Sequence, residues 1–88
     1  METGNLYCFV VDENGGALPG VTVTVSGMGV PQVQVTNAQG EVRFLGLAVG
    51  TYQLEAQIEG FATFIYPRID IAAGRNTTLQ ITMTPATE

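Results

Sequence analysis

The chain has 88 residues and a net charge of −5, with eight acidic residues, three arginines, no lysine and no histidine. Nucleic acids and anionic membranes are bound through clustered positive charge, so this composition excludes both as partners. The lack of histidine removes the usual general base near neutral pH and a common metal ligand. A single cysteine excludes an internal disulfide. We therefore expect no catalytic residue, no cofactor and no metal site, and we predict that the chain is not an enzyme.

The length predicts a single domain over residues 1–88, with its core within about residues 5–85. Hydrophobic residues make up 45% of the chain, which is enough for a folded core, while charged residues make up 12%. No apolar run approaches the roughly 20 residues that span a bilayer, so we expect no membrane insertion. The opening METGN has neither the basic nor the apolar region of a signal peptide, and the closing MTPATE resembles the start of a linker. We expect the domain to be excised from a larger protein.

Short runs in which apolar and polar residues alternate follow one another along the chain, separated by turns rich in Gly, Asn and Pro. Alternation with a period of two is typical of strands that are buried on one face. In chain order, this pattern predicts strands over residues 6–12, 21–26, 32–36, 41–45, 51–58, 61–66 and 77–83. Among the intervening segments, residues 37–40 and 46–50 are predicted to be turns.

No stretch sustains a period of 3.6, so we expect no long helix. Short half-buried strands, with turns about every 8 to 12 residues, pack best as two sheets face to face. The sequence therefore predicts an all-β fold, a seven-stranded antiparallel β-sandwich. Tyr52 falls on an inward position, and we expect it to be a buried anchor of its strand. Gly50 is expected to adopt a backbone conformation that few other residues allow.

Three segments resemble a known family: VVDENGGALPGVTVTVSG, TNAQGEVRFLGLAVGTYQLEAQIEGF and TTLQITMTP. Their pattern is similar to that of the carboxypeptidase regulatory-like domain family, over about residues 5–85. The most specific matches are Asp12, Gly15, Leu18-Pro19-Gly20, Gly40, Leu47, Gly50-Thr51-Tyr52 and Gly60-Phe61. The resemblance implies a transthyretin-like (prealbumin-like) Greek-key sandwich, related to the Cna-B-like repeat modules.

The resemblance also implies a function: a non-catalytic accessory module of a larger secreted or cell-envelope protein, acting as a spacer, a folding aid or a protein-docking surface. The implied partners are neighbouring domains of the same polypeptide or another protein. A carbohydrate- or peptide-binding module stays open as the alternative, with Tyr7, Phe9 and Tyr66 as outer aromatics. Cys8 and Phe9 make the first strand bulkier than the family pattern, and without lysine the isopeptide crosslink of many Cna-B-like modules cannot form. The hydrolase of the transthyretin superfamily depends on histidine, so that function is excluded as well.

Acidic residues are candidates for chemistry, and each has a simpler structural interpretation. DENG, residues 12–15, carries two acidic side chains, too few for a calcium site of six to eight oxygens, and it favours a turn. Glu41, Glu55 and Glu59 fall on outward positions, which indicates a solvated sheet face rather than a pair of catalytic carboxylates.

The first strand is apolar at every position of LYCFVV, residues 6–11, so alternation alone leaves one face unexplained. Cys8 falls on the inward face and has no base beside it in the sequence, so we expect an inert core thiol. Tyr7, Phe9 and Val11 then face outward, where a sheet in contact with water is normally polar. Either a loop or the chain terminus covers them, or they form a contact surface for a neighbouring domain or for weak self-association. We favour the interaction surface.

Overall fold

The computed structural model describes residues 2–27 and 29–86, and in these ranges the chain forms seven strands and no helix. The strands are β1 (Thr3–Val11), β2 (Thr22–Ser26), β3 (Gln32–Val35), β4 (Glu41–Ala48), β5 (Gly50–Gln57), β6 (Phe64–Ile71) and β7 (Asn76–Thr82). The described part of the chain therefore contains no helix of the length and hydropathy needed to cross a membrane.

Two sheets pack face to face, as the alternating pattern predicted. One has three strands in the order β4-β1-β7, and the other has four in the order β3-β2-β5-β6. The predicted all-β, seven-stranded sandwich is confirmed, but the pairing of β1 with β7 is parallel rather than antiparallel. Alternation carries no information about strand direction, and a tight turn imposes antiparallel pairing only on the strands it joins. The strands β1 and β7 lie at opposite ends of the chain, so no such turn joins them.

The core lies between the inner faces of the two sheets. Its buried apolar side chains are Leu6, Cys8, Val10, Val21, Val23, Val25, Val42, Phe44, Leu47, Tyr52, Leu54, Ala56, Ile69, Ile71, Ile81 and Met83. Alternation located most of them, because each strand has one inward face. Three of them, Leu47, Ile69 and Ile71, lie outside the predicted strands.

The turn predicted at residues 46–50 is shorter than expected, because β4 continues into it and the chain changes sheets at Val49 alone. Phe44 and Leu47 both face the core although they are three residues apart, so the alternating pattern contains one extra residue. The strand holds it in a β-bulge at the register shift opposite β1, where Gly46 has a φ of 72°. The bulge breaks the period of two, and this made the end of a strand resemble a turn.

The sixth strand lies further along the chain than predicted, at Phe64–Ile71 instead of residues 61–66. The predicted strand ended directly before Pro67, a residue that cannot donate to a ladder. However, β6 is one of the two edge strands of its sheet, and its ladder to β5 has a register shift at this point. Edge strands and bulges are the places where a sheet tolerates proline. Beyond the proline, the strand contributes Ile69 and Ile71 to the core.

Tyr52 anchors the passage of the chain from one sheet to the other. Its side chain is 5% exposed, as predicted, and its hydroxyl donates a hydrogen bond to the Ala48 carbonyl oxygen at 2.6 Å. Ala48 is the last residue of β4, so the bond ties the start of β5 back across Val49. Gly50 begins β5 with a φ of 156°, a positive value that glycine adopts readily.

We expect Tyr52→Ala to lower the free energy of unfolding by about 3 kcal/mol or more, because it removes a buried aromatic ring. Tyr52→Phe removes only the hydrogen bond to Ala48 and should cost about 1 kcal/mol. Chemical denaturation followed by circular dichroism measures both. Tyr66→Ala is the control and should cost less, since that ring is 37% exposed. A loss below about 1 kcal/mol for Tyr52→Ala would show that the ring is not part of the core.

Candidate interaction surface

The outer face of the three-stranded sheet carries an apolar row along its central strand. Tyr7, Phe9 and Val11 alternate outward along β1, while Cys8 and Val10 between them are buried. Phe9 is 39% exposed, and Tyr7 and Val11 are half-buried. These three side chains are termed the outer β1 row. The structure thus brings the three residues singled out in the sequence together on one outer face.

Polar side chains from both neighbouring strands flank the outer β1 row. Across β4, Tyr7 lies opposite Arg43 and Phe9 lies opposite Glu41. Across β7, the row faces Thr78, Gln80 and Thr82. A shallow pocket of about 190 Å³ opens between them, lined by Tyr7, Cys8, Phe9, Glu41, Val42, Arg43 and Thr78. Apolar groups rimmed by polar ones are the usual composition of an interaction site.

The chain itself approaches one end of the row. The backbones of Val11 and Ala17 form an isolated bridge, and the Leu18 N–H donates to the Val10 carbonyl oxygen at 3.0 Å. The loop after β1 therefore lies beside Val11. It leaves Phe9, in the middle of the row, exposed.

At the other end of the outer β1 row, the side chain of Asn5 forms hydrogen bonds to both neighbouring strands. Its side-chain amide donates to Asn76 Oδ1 on β7 at 3.0 Å, and its Oδ1 accepts the Gly46 N–H of β4 at 3.0 Å. One side chain on the central strand therefore links both of its neighbours. The sequence carries no local sign of this role of Asn5, because its two partners lie 71 and 41 residues away along the chain.

Cys8 lies behind this face, in the core. Its side chain is 1% exposed, and across the ladder it lies opposite Val42. Burial raises the pKa of the Cys8 thiol to about 12. A thiol that stays protonated at neutral pH is a poor nucleophile and a poor metal ligand, in agreement with the sequence interpretation.

The acidic loop after β1 is a turn organised by one carboxylate. Asp12 Oδ1 accepts the backbone N–H groups of Asn14 at 2.9 Å and of Gly16 at 2.8 Å. The Asp12 carbonyl oxygen accepts the Gly15 N–H at 3.0 Å, and Gly15 has a φ of 85°. The turn therefore takes up one of the carboxylate oxygens that a cation would need, as expected of an Asp at a turn.

Asn37 organises the turn before β4 in the same way. Its Oδ1 accepts the N–H groups of Gln39 at 2.9 Å and of Glu41 at 3.0 Å, and its carbonyl oxygen accepts the Gly40 N–H at 2.9 Å. Gly40 has a φ of 75°, and a Cβ added there would lie 2.5 Å from the Val10 carbonyl oxygen. In both turns a glycine follows the Asp or Asn by three residues. This repeated motif was visible in the sequence, but sequence analysis identified the two segments only as generic turns.

The acidic residues considered as a catalytic pair do not form one cluster. Glu41 lies beside the outer β1 row, whereas Glu55 lies on the outer face of the other sheet, opposite Thr24. Glu59 follows β5 in a turn. Across residues 2–27 and 29–86, no three His, Cys, Asp or Glu side chains are grouped so that they could hold a metal ion.

The sequence and the fold together identify the family. A model of the carboxypeptidase regulatory-like domain matches residues 5–84, nearly the whole chain, and the chain belongs to this family. The matched range includes both side-chain-organised turns, the outer β1 row and Tyr52. A search of curated proteins finds no match to this chain.

Three solved structures share the fold. The Bacillus anthracis TIE protein is 19% identical with a TM-score of 0.85, over 97% of this chain and 17% of that chain. The minor pilin GBS52 of Streptococcus agalactiae is 18% identical with a TM-score of 0.73, over 99% and 46% of the two chains. The 5-hydroxyisourate hydrolase of Klebsiella pneumoniae is 26% identical with a TM-score of 0.67, over 96% and 93%. This chain therefore spans only part of the first two proteins.

We expect the Cys8 thiol of the native protein to resist an aromatic disulfide reagent at mildly alkaline pH, because the thiol is buried and protonated. In denaturant the same thiol should react completely. Release of the coloured thiolate product measures both reactions. Rapid, stoichiometric reaction of the native protein would contradict the burial of Cys8.

We expect Asp12→Ala to lower the free energy of unfolding by about 1 to 2 kcal/mol, because two backbone N–H groups lose their acceptor. Asp12→Asn keeps Oδ1 and should lose much less. Thermal and chemical unfolding measure these changes, with and without added calcium. A calcium-dependent rise in the unfolding midpoint that Asp12→Asn abolishes would instead indicate a cation site.

Proposed function

We propose that this domain is a non-catalytic accessory module of a larger secreted or cell-envelope protein. Within that protein it acts as a spacer that docks against a neighbouring domain of the same polypeptide through the outer β1 row. Membership in a family described as regulatory-like supports the proposal, as does the place of similar folds within longer chains.

The exposure of the outer β1 row carries this proposal. Burying a large apolar side chain contributes roughly 1.5 to 3 kcal/mol, so an apolar row in water forgoes stabilisation that a docked domain would recover. The outer face of the other sheet shows the contrast. There the two central strands present Thr24 and Glu55, and the exposed apolar side chains Val33, Val35 and Ile65 lie on the two edge strands.

A tethered partner suits a row of this size. Three side chains offer a small contact area, and small interfaces between free proteins are weak. A neighbouring domain on the same polypeptide is held at an effective concentration of about the millimolar range, so a small contact suffices. The flanking Glu41 and Arg43 add one charge of each sign at the rim, where ionic contacts favour one orientation over others.

A carbohydrate- or peptide-binding role is the second candidate, and the pocket beside Tyr7 and Phe9 favours it. Its aromatic lining and its two charged neighbours would offer stacking and hydrogen bonds to a small ligand. With about 190 Å³, the pocket is smaller than the roughly 300 to 1,000 Å³ of most ligand sites. Docking of a domain is therefore the favoured function.

Calorimetry of the 88-residue chain, alone and within the larger protein proposed above, tests the docking. We expect this domain to unfold at a higher temperature in the longer polypeptide, since docking stabilises the native state. Tyr7→Ser with Phe9→Ser should abolish that difference, while changing the stability of the isolated chain by less than about 1 kcal/mol per substitution. The matched control is Ile65→Ser on the opposite outer face, which should preserve the difference.

Two results would contradict the proposal. An identical unfolding temperature in both contexts would mean that no neighbour docks on the domain. Unfolding of the isolated chain by Tyr7→Ser and Phe9→Ser would mean that the row is core. Chemical shift changes of Tyr7 and Phe9 on titration with soluble oligosaccharides would favour the second candidate.

A further inference from the structure

The strand β3 ends the four-stranded sheet, and within the described residues it pairs with β2 and with no other strand. All four of its residues are exposed, including Val33 at 56% and Val35 at 57%. Both valines lie on the outer face of the sheet, opposite Thr24 and Thr22. An apolar edge strand of this kind can form backbone hydrogen bonds to another strand and can bury apolar side chains against it.

The ladder to β2 determines which backbone N–H and C=O groups of β3 stay unpaired at the free edge. The Thr36 N–H donates to the Val21 carbonyl oxygen at 2.9 Å, directly beyond the end of the strand. In an antiparallel ladder, hydrogen-bonded and non-hydrogen-bonded pairs alternate. Gln34 and Gln32 therefore direct their N–H and C=O groups toward β2. Val33 and Val35 direct theirs toward the free edge.

The strand β3 has only four residues and Pro31 lies directly before it, but the strand itself contains no charged residue, no proline and no bulge. Exposed edges normally carry charged residues, proline or a bulge. The edge strand β6 follows that rule, with Pro67, Arg68 and Asp70. By contrast, no charged residue occurs anywhere from Asn14 to Gly40, a stretch that includes β3.

We propose that β3 pairs with β3 of a second copy of this chain in an antiparallel, two-fold symmetric dimer. Val33 pairs with the partner's Val35, and Gln34 lies opposite the partner's Gln34 on the two-fold axis. Since each valine directs an N–H and a C=O outward, each valine pair exchanges two hydrogen bonds. The two four-stranded sheets then form one continuous sheet of eight strands. The four valines meet on its outer face, and both β3 edges are closed.

Charge and symmetry favour a second copy of this chain as the partner of the β3 edge. The chain carries a net charge of −5, so two copies repel each other, and the repulsion is smallest where the surfaces that meet carry no charge. The β3 edge is such a surface, and its alternating Gln and Val residues are complementary to themselves when the strand is reversed. The edge strand β7 is also uncharged, but its outward side chains are Thr78, Gln80 and Thr82, so pairing there would bury little apolar area.

Sedimentation equilibrium of the 88-residue chain, at concentrations up to about 1 mM, tests the dimer, since an interface below about 1,200 Å² is expected to be weak. We expect a monomer–dimer equilibrium in which Val33→Lys with Val35→Lys raises the dissociation constant by at least about tenfold, because the substituted lysines face each other. Val33→Pro should have the same effect, because it removes an N–H that the β2 ladder does not use. The matched control is Gln80→Lys on β7, which should leave the equilibrium unchanged.

Amide hydrogen exchange of the unsubstituted chain gives a second measurement that does not depend on whether the variants fold. The Val33 and Val35 N–H groups should exchange more slowly as the protein concentration rises. The exchange rate of the Gln34 N–H should not depend on concentration in the same way, because this group faces β2. A chain that stays monomeric at about 1 mM overturns the proposal, as do open-ended polymers. A dimer that persists in the β3 variants but is lost in Tyr7→Ser with Phe9→Ser would place self-association at the outer β1 row. That result would overturn the β3 dimer without affecting the proposed docking function.

Discussion

The central strand β1 holds the three-stranded sheet together through its ladders to β4 and β7. Its inward side chains, Leu6, Cys8 and Val10, are at most 1% exposed, and both of its backbone edges are paired. The parallel ladder to β7 joins the first and last strands, so the three-stranded sheet is complete only when nearly the whole chain has folded. Contacts this distant in sequence must overcome a large loop-closure entropy, which favours slow, cooperative folding.

Side-chain hydrogen bonds near the ends of the strands favour this long-range pairing. Asp12 and Asn37 each close a turn with side-chain hydrogen bonds to the backbone, immediately after β1 and shortly before β4. Tyr52 ties β5 to the end of β4, where the chain passes between sheets. Each of these contacts lies near a point at which a strand changes direction or changes sheets, so the local interactions favour the same structure as the long-range pairing.

The two surfaces inferred for this domain lie on different sheets and differ in physical kind. The outer β1 row presents side chains on a sheet whose backbone is already paired, so contact there depends on shape and on burial of apolar area. The free edge of β3 presents unpaired backbone groups, so contact there is directed by hydrogen bonds. Since they belong to opposite layers of the sandwich, one can be occupied while the other stays open.

The amino-acid sequence predicted most of the strands, most of their inward residues, and the outward position of Tyr7, Phe9 and Val11. It did so because the faces of a strand follow from a period of two, which is a local property. It also located the turns at Asp12 and Asn37, since the residues that organise them are adjacent in the chain.

The pairing of the strands, their directions and the edges of each sheet became known only from the fold. A strand's hydrogen-bond partner can lie anywhere in the chain and leaves no periodic trace, so the parallel β1–β7 ladder and the links from Asn5 were not predictable. The bulge at Gly46 and the strand through Pro67 were missed because each breaks a local rule at a place where pairing permits it. Alternation puts Val33 and Val35 on one face of β3, but only their pairing opposite Thr24 and Thr22 makes that face the outer one. The unpaired edge of β3 follows from the order of the strands, which no local pattern contains.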